Sequence, residues 1–203
     1  QNPSVRYEAC LPHRGGGRGF MASADISPGT LLLVERRYLP MPTAIDCGLA
    51  GGVGQEELCL KWILALPLPR LKEVLGEIRW LHPQTLEDLP PDEAESLMTR
   101  HEEVAKTMIS DLGERSAETG LDVRGIVRLF GALQSNGFAS GIYLHPAMTN
   151  HSCRANAIKW QAGKSMSDSG LGKGGGVESR DPADSNLSEI RATELIRAGE
   201  EIT

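Results

Sequence analysis

The sequence predicts a mixed fold of the α+β class, in which short extended segments at both ends of the chain flank an inserted block of helices. Three observations carry this expectation. Apolar residues recur every three or four positions between residues 55 and 135, the period of a helix. Short apolar runs bounded by Pro-Gly, Ala-Gly and polar clusters occupy both flanks, as strands do. The chain has 203 residues, 40% of them hydrophobic and 24% charged. That is enough for one domain burying roughly 70% of its unfolded surface.

Taken in order, Phe20-Met21-Ala22 and Leu31-Leu32-Leu33-Val34 read as strands joined through Pro28-Gly29. Proline fixes one turn dihedral and glycine permits the next, so a β-hairpin is expected over 20–34. Residues 46–54, rich in glycine and alanine around Cys47, read as a flexible link. Helices are expected over 55–66 and 70–81, separated by Pro67 and Pro69, with Leu58, Trp62, Leu66 and Leu71, Val74, Leu75, Ile78 marking their apolar faces. A third starts after Pro90-Pro91, with Asp92-Glu93 placing negative charge in its first turn, and runs to about Leu112. The fourth spans about Asp122 to Ser135, with Ile126, Leu129, Phe130 and Leu133 on one face.

After Asn136 extended segments return at Ile142-Tyr143-Leu144 and at Ala157–Trp160. Residues 161–186 are dominated by glycine and serine and hold no aromatic. Such a stretch buries too little surface to offset its ordering entropy, so a disordered insertion between two strands is expected. Apolar residues resume at Leu187, Ile190, Ala192, Leu195 and Ile196, and Ala198-Gly199 supplies a second turn before Glu200–Thr203. The chain begins at Gln1 rather than Met and stops in what reads as the start of a strand, so the sequence is expected to be incomplete at both ends.

A net charge of −6 argues against a protein that coats nucleic acid and favours a basic partner. Neither a membrane span nor a secretory leader is written in the chain. Cysteines 10, 47, 59 and 153 include no C-x-x-C pair, which points to reduced thiols in a nuclear or cytoplasmic protein.

Gly17-Arg18-Gly19-Phe20-Met21-Ala22 has the spacing G-x-G-x-x-A, but a dinucleotide fingerprint needs a helix after it and Pro28-Gly29 intervenes. The residues 15–19 are left as a loop whose main chain can lie close to a ligand. Thr149–Ala157 crowds hydrogen-bonding side chains and a thiol together. A Cys153–His151 nucleophile lacks a third orienting group. Glu35 and the Glu200-Glu201 pair read as a solvated edge, since neighbours on a strand face opposite ways.

Asn150-His151-Ser152-Cys153 with Asn156 resembles the N-H-S-C-x-P-N signature of SET-domain lysine methyltransferases, particularly the SET-and-MYND type. Three further segments resemble that family in the same order: Arg18-Gly19-Phe20 through Pro28-Gly29 to Val34-Glu35, Ser135-Asn136-Gly137-Phe138, and Arg191-Ala192 through Gly199-Glu200-Glu201-Ile202-Thr203. The family's usual proline is Ala155 here, and no MYND cysteine-histidine set interrupts the first half.

The resemblance implies a single partial SET domain over 1–203. It has short, mostly antiparallel sheets from 18–46 and 136–203, a helical insert over 47–135, and residues 187–203 lying near Asn150-His151. It further implies S-adenosylmethionine as cofactor, with Arg18 and Gly19 at its methionine end, Asn136 on its amino-acid portion, and Asn150 and His151 holding it through backbone and side-chain hydrogen bonds. The implied activity is methylation of a lysine on a protein or peptide, such as a basic histone tail. No direct contact with nucleic acid or membrane is expected. The family's catalytic tyrosine falls just after G-E-E-I-T, and Tyr7, Tyr38 and Tyr143 are not at that position, so no catalytic residue is nominated. Cys153 matches a zinc ligand that the family completes with cysteines of a post-SET segment, so zinc is expected only with such a segment. The competing expectation is a non-catalytic or truncated SET module that serves as a protein-interaction domain.

Overall fold

The computed structural model describes residues 1–14, 17–40, 54–138, 141–161 and 186–203. Most of the link expected at 46–54 and of the insertion expected at 161–186 lie outside the described residues. In chain order the elements begin with β1 (Val5–Leu11), β2 (Gly17–Ala22) and β3 (Leu31–Arg36). Helices α1 (Gln55–Leu64), α2 (Leu68–Ile78), α3 (Pro91–Leu112), α4 (Glu114–Thr119) and α5 (Val123–Asn136) follow. The remaining strands are β4 (Gly137–Phe138), β5 (Gly141–Ile142), β6 (Ala157–Gln161), β7 (Leu187–Ala192) and β8 (Glu201–Ile202). The architecture is therefore α+β, with small antiparallel sheets and a helical block between the flanking strands. Two compact units are formed, Gln1–Arg37 with His145–Thr203, and Tyr38–Leu144.

The first unit holds two three-stranded antiparallel sheets, ordered β1-β2-β8 and β3-β7-β6. This corrects the hairpin expected over 20–34: the Pro28-Gly29 turn forms, with Gly29 at φ +80°, but the strands on either side of it enter different sheets. The reason is a second copy of the same pattern. Ala22, Ile26, Gly29 and Leu32 are matched at a constant offset by Ala192, Ile196, Gly199 and Ile202, and Gly199 has φ +85°.

The two copies exchange hydrogen bonds reciprocally. Ile26 N donates to Ile196 O (2.7 Å) and Ile196 N to Ile26 O (3.0 Å). Gly29 N donates to Ala192 O (2.8 Å) and Gly199 N to Ala22 O (2.7 Å). Each half thus satisfies the turn of the other, and the buried Phe20, Ala22, Ile26, Leu32, Ile190, Ala192, Ile196 and Ile202 form one core between them.

In the second unit the five helices form where periodicity predicts four. Pro69 does not separate helices. It lies in the first turn of α2, where its missing N–H has no intrahelical acceptor. Helix α3 starts at Pro91 with Asp92 and Glu93 in its first turn. Asp122 caps α5, its Oδ1 accepting from Gly125 N at 2.7 Å. Ile63, Leu71, Val74, Ala105, Ile126 and Phe130 are buried together in this unit. Strands β4 and β5 pair with each other, and Leu39 bridges to Ile142. Helix α4 and strands β1 and β4 escape sequence reading. Helix α4 buries none of its residues and so shows no apolar period, and β1 buries only its first and last. Among the described residues, no helix is long and apolar enough to cross a membrane.

Candidate functional site

Residues 17–19 are strand, not loop, which corrects the expectation for the glycine segment; residues 15–16 lie outside the described residues. Antiparallel pairing of β2 with β1 on one side and β8 on the other sets Glu8 opposite Gly19 and Met21 opposite Glu201. The Glu201 side chain therefore has Gly19 as a diagonal neighbour on β2. Glycine leaves that position empty, and the side chain of Asn150 occupies it. An added Cβ at Gly19 would lie 2.7 Å from Asn150 Nδ2, 2.9 Å from Leu11 Cδ1 and 3.3 Å from Glu201 Oε1.

The amide of Asn150 ties three separate segments together. Its Nδ2 donates to Arg18 O at 2.7 Å and to Glu201 Oε1 at 2.8 Å. Arg18 O can only accept, so the amide orientation is set by it: turned over, Oδ1 would face that carbonyl and both bonds would be lost. Glu201 is held in turn by His13, whose Nε2 lies 2.6 Å from Oε2. The Glu201 side chain is 9% exposed, against 51% for His13. Asn156 completes the junction, its Nδ2 donating to Glu201 O (2.7 Å) and its Oδ1 accepting from Thr203 N (2.9 Å). Residues 201–203 thus lie against Asn150 and Asn156.

These contacts correct the solvated-edge reading of the acids. Glu201 faces the junction, because its strand neighbour is the glycine face of β2. Only Glu200 behaves as expected; it is exposed and accepts from Arg197 N at 2.7 Å, closing the Ala198-Gly199 turn. Glu35 is also mostly covered, at 15%, with His145 N donating to its Oε2 at 2.9 Å and His145 Nδ1 at 3.3 Å.

The other candidate residues fall in different settings. The Arg18 side chain is half-buried and makes no ion pair among the described residues. His151 and Cys153 are both exposed, with Nε2 and Sγ 3.7 Å apart, and Ser152 Oγ accepts from Arg154 N at 3.1 Å in a local turn. Among the described residues no group of three or more His, Cys, Asp or Glu side chains could hold a metal ion. Asn136 belongs to the helical unit. It is buried at the end of α5, where its Nδ2 donates to His82 O (2.5 Å) and Ala132 O (2.8 Å). His13, Glu201 and Asn156 are the members sequence reasoning missed or undervalued. A histidine close after one strand carries no motif, and alternation on β8 says only that Glu200 and Glu201 face apart, not which faces in.

No protein-family model and no curated protein matches the sequence. Among solved structures, the chain is similar to the SET domain of LSMT, determined bound to lysine and AdoHcy. The TM-score is 0.50 at 15% sequence identity, over 98% of this chain and 48% of that one. The likeness is one of fold: the chain adopts a SET-type architecture and spans about half the length of the structure it matches.

Proposed function

We propose that this chain is the cofactor-binding part of an S-adenosylmethionine-dependent protein-lysine N-methyltransferase. The observation that carries the reading is the convergence at Asn150: the Gly17-Arg18-Gly19 strand, the Asn150–Cys153 segment and the Glu200–Thr203 terminus, three pieces far apart in sequence, meet through one amide. The placing in the SET-and-MYND branch rests on the spacing of those motifs alone.

The residues present fit the cofactor's amino-acid end. Its carboxylate asks for a cation, and Arg18 offers a guanidinium without an ion pair among the described residues. Its ammonium asks for an acceptor, and Asn150, with both Nδ2 hydrogens committed, has Oδ1 left to accept. The cofactor supplies a methyl group on a sulfonium centre. What this chain contributes is alignment: a strand held on both sides, and an amide that cannot turn over, keep the binding groups in place before the ligand arrives. His151 completes the proposed pocket, and the acceptor is a neutral lysine amine on a basic protein segment such as a histone tail. Cys153 would take part in a zinc site only with ligands from another segment.

The test is calorimetric titration of the chain with S-adenosylhomocysteine. Saturable one-to-one binding that N150A weakens at least tenfold is expected, followed by transfer of labelled methyl groups to lysine-rich peptides. A folded chain that binds nothing would support the alternative reading, a SET module retained for protein interaction.

A further inference from the structure

We propose that Glu201, anchored by His13, is a positioning residue that makes Asn150 an acceptor-only group. It thereby selects a hydrogen-bond donor, the ammonium of an amino-acid moiety, at that point of the pocket; the inference rests on the proposed cofactor reading. An asparagine amide is ambivalent, offering two donors on one side and an acceptor on the other. Alone, it accommodates either a carboxylate or an ammonium by turning over. Here the carboxylate of Glu201 stands 2.8 Å from Nδ2 and Arg18 O stands 2.7 Å from it. Turning over would lose both hydrogen bonds and set Oδ1 against the Arg18 carbonyl in a mostly covered site.

The burial of Glu201 is what gives the carboxylate this authority. Its side chain is 9% exposed, so water competes little for Oε1, while His13 at 2.6 Å fixes the second oxygen. Gly19 is the third part of the device: any Cβ there would displace Asn150 from both acceptors. Asn156 then fixes the main chain of residues 201–203, which carries the carboxylate into register. A strand acid, a glycine on the facing strand and a loop amide thus form one unit that fixes the direction of a single carbonyl oxygen.

A double-mutant cycle on S-adenosylhomocysteine affinity tests this. Losing one charge-assisted hydrogen bond to the amide is expected to weaken binding about tenfold in E201A. In the N150A background the same change should weaken it less than twofold, since the amide it orients is gone. E201Q, which can still accept from Asn150 Nδ2 through its own carbonyl oxygen, should recover affinity to within about threefold of wild type. Thermal midpoints of all variants report that each is folded. An E201A loss that persists undiminished on N150A overturns the proposal, because Glu201 would then act directly on the ligand or on the fold. An E201A variant that binds as wild type overturns the proposal while leaving the cofactor reading intact. A folded wild-type chain without affinity for the ligand overturns both.

Discussion

Replacing Gly19 by alanine tests whether the junction at Asn150 is packed as tightly as its distances indicate. The new Cβ would stand 2.7 Å from Asn150 Nδ2 and 2.9 Å from Leu11 Cδ1, both closer than real carbon contacts allow. Leu11 is 2% exposed and has little room to retreat, so the amide is the group that gives way. Its departure breaks the bonds to Arg18 O and Glu201 Oε1, together about 2–4 kcal/mol with a carboxyl group as one acceptor. Alanine returns about 0.4–1 kcal/mol by stiffening the unfolded chain. The net expectation is destabilisation by about 2 kcal/mol, a shift of about 4–8 °C in Tm for a chain of this size. Urea denaturation of wild type, G19A, N150A and the double variant measures it. On the N150A background only the 2.9 Å contact with Leu11 Cδ1 remains, so the cost of the methyl group should be smaller than in the wild-type background. A G19A protein within 0.5 kcal/mol of wild type, or costs that simply add in the double variant, would refute the argument.

Three other outcomes are expected. N156A removes the amide that grips Glu201 O and Thr203 N, leaving two main-chain groups to find other partners. It should cost about 1–3 kcal/mol and speed hydrogen exchange at Thr203. F130A opens a cavity in the helical unit, where Phe130 is 1% exposed and stacked on His101 at 4.1 Å. A loss of about 3–5 kcal/mol is expected in chemical denaturation. Burial, and secondarily Arg100, holds the His101 imidazole below its ordinary value near 6.5. The unfolded chain therefore binds this proton more readily than the folded one. Stability from this group is complete above about pH 6.5 and declines as pH falls from there toward the folded value. Thermal midpoints between pH 7.5 and 5 should show a decline that H101F reduces, and an unchanged slope in that variant would count against it.

Much of the helical unit was legible because a single property, the three-to-four spacing of apolar residues, both forms a helix and marks its buried face. Leu58, Leu71, Val74, Ile126 and Phe130 are all on faces the spacing identifies, and all are buried. Helix α4 was invisible for the complementary reason: it has no buried face to declare. The strands on either side of Pro28-Gly29 were found but wrongly paired. Local turn chemistry at Pro28-Gly29 favours a hairpin, and nothing within residues 20–34 reveals that Ala192 and Ile196 compete for the same hydrogen bonds. The competing sequence lies beyond residue 186, and only the repeated Ala, Ile and Gly spacing hints at it.

The sequence by itself determined the fold class, the turns at Pro28-Gly29 and Ala198-Gly199, the helical insert and the segments that meet at Asn150. Each of these depends on neighbours within a few residues, where spacing and side-chain chemistry act directly. Only the tertiary structure decided which strands pair, that Gly19 is required by close approach rather than by its backbone angle, and that Glu201 turns inward onto Asn150 and His13. Those outcomes depend on which distant atoms compete for one donor or one small volume, and a hydrogen bond across 51 or 188 residues leaves no periodic trace in the chain.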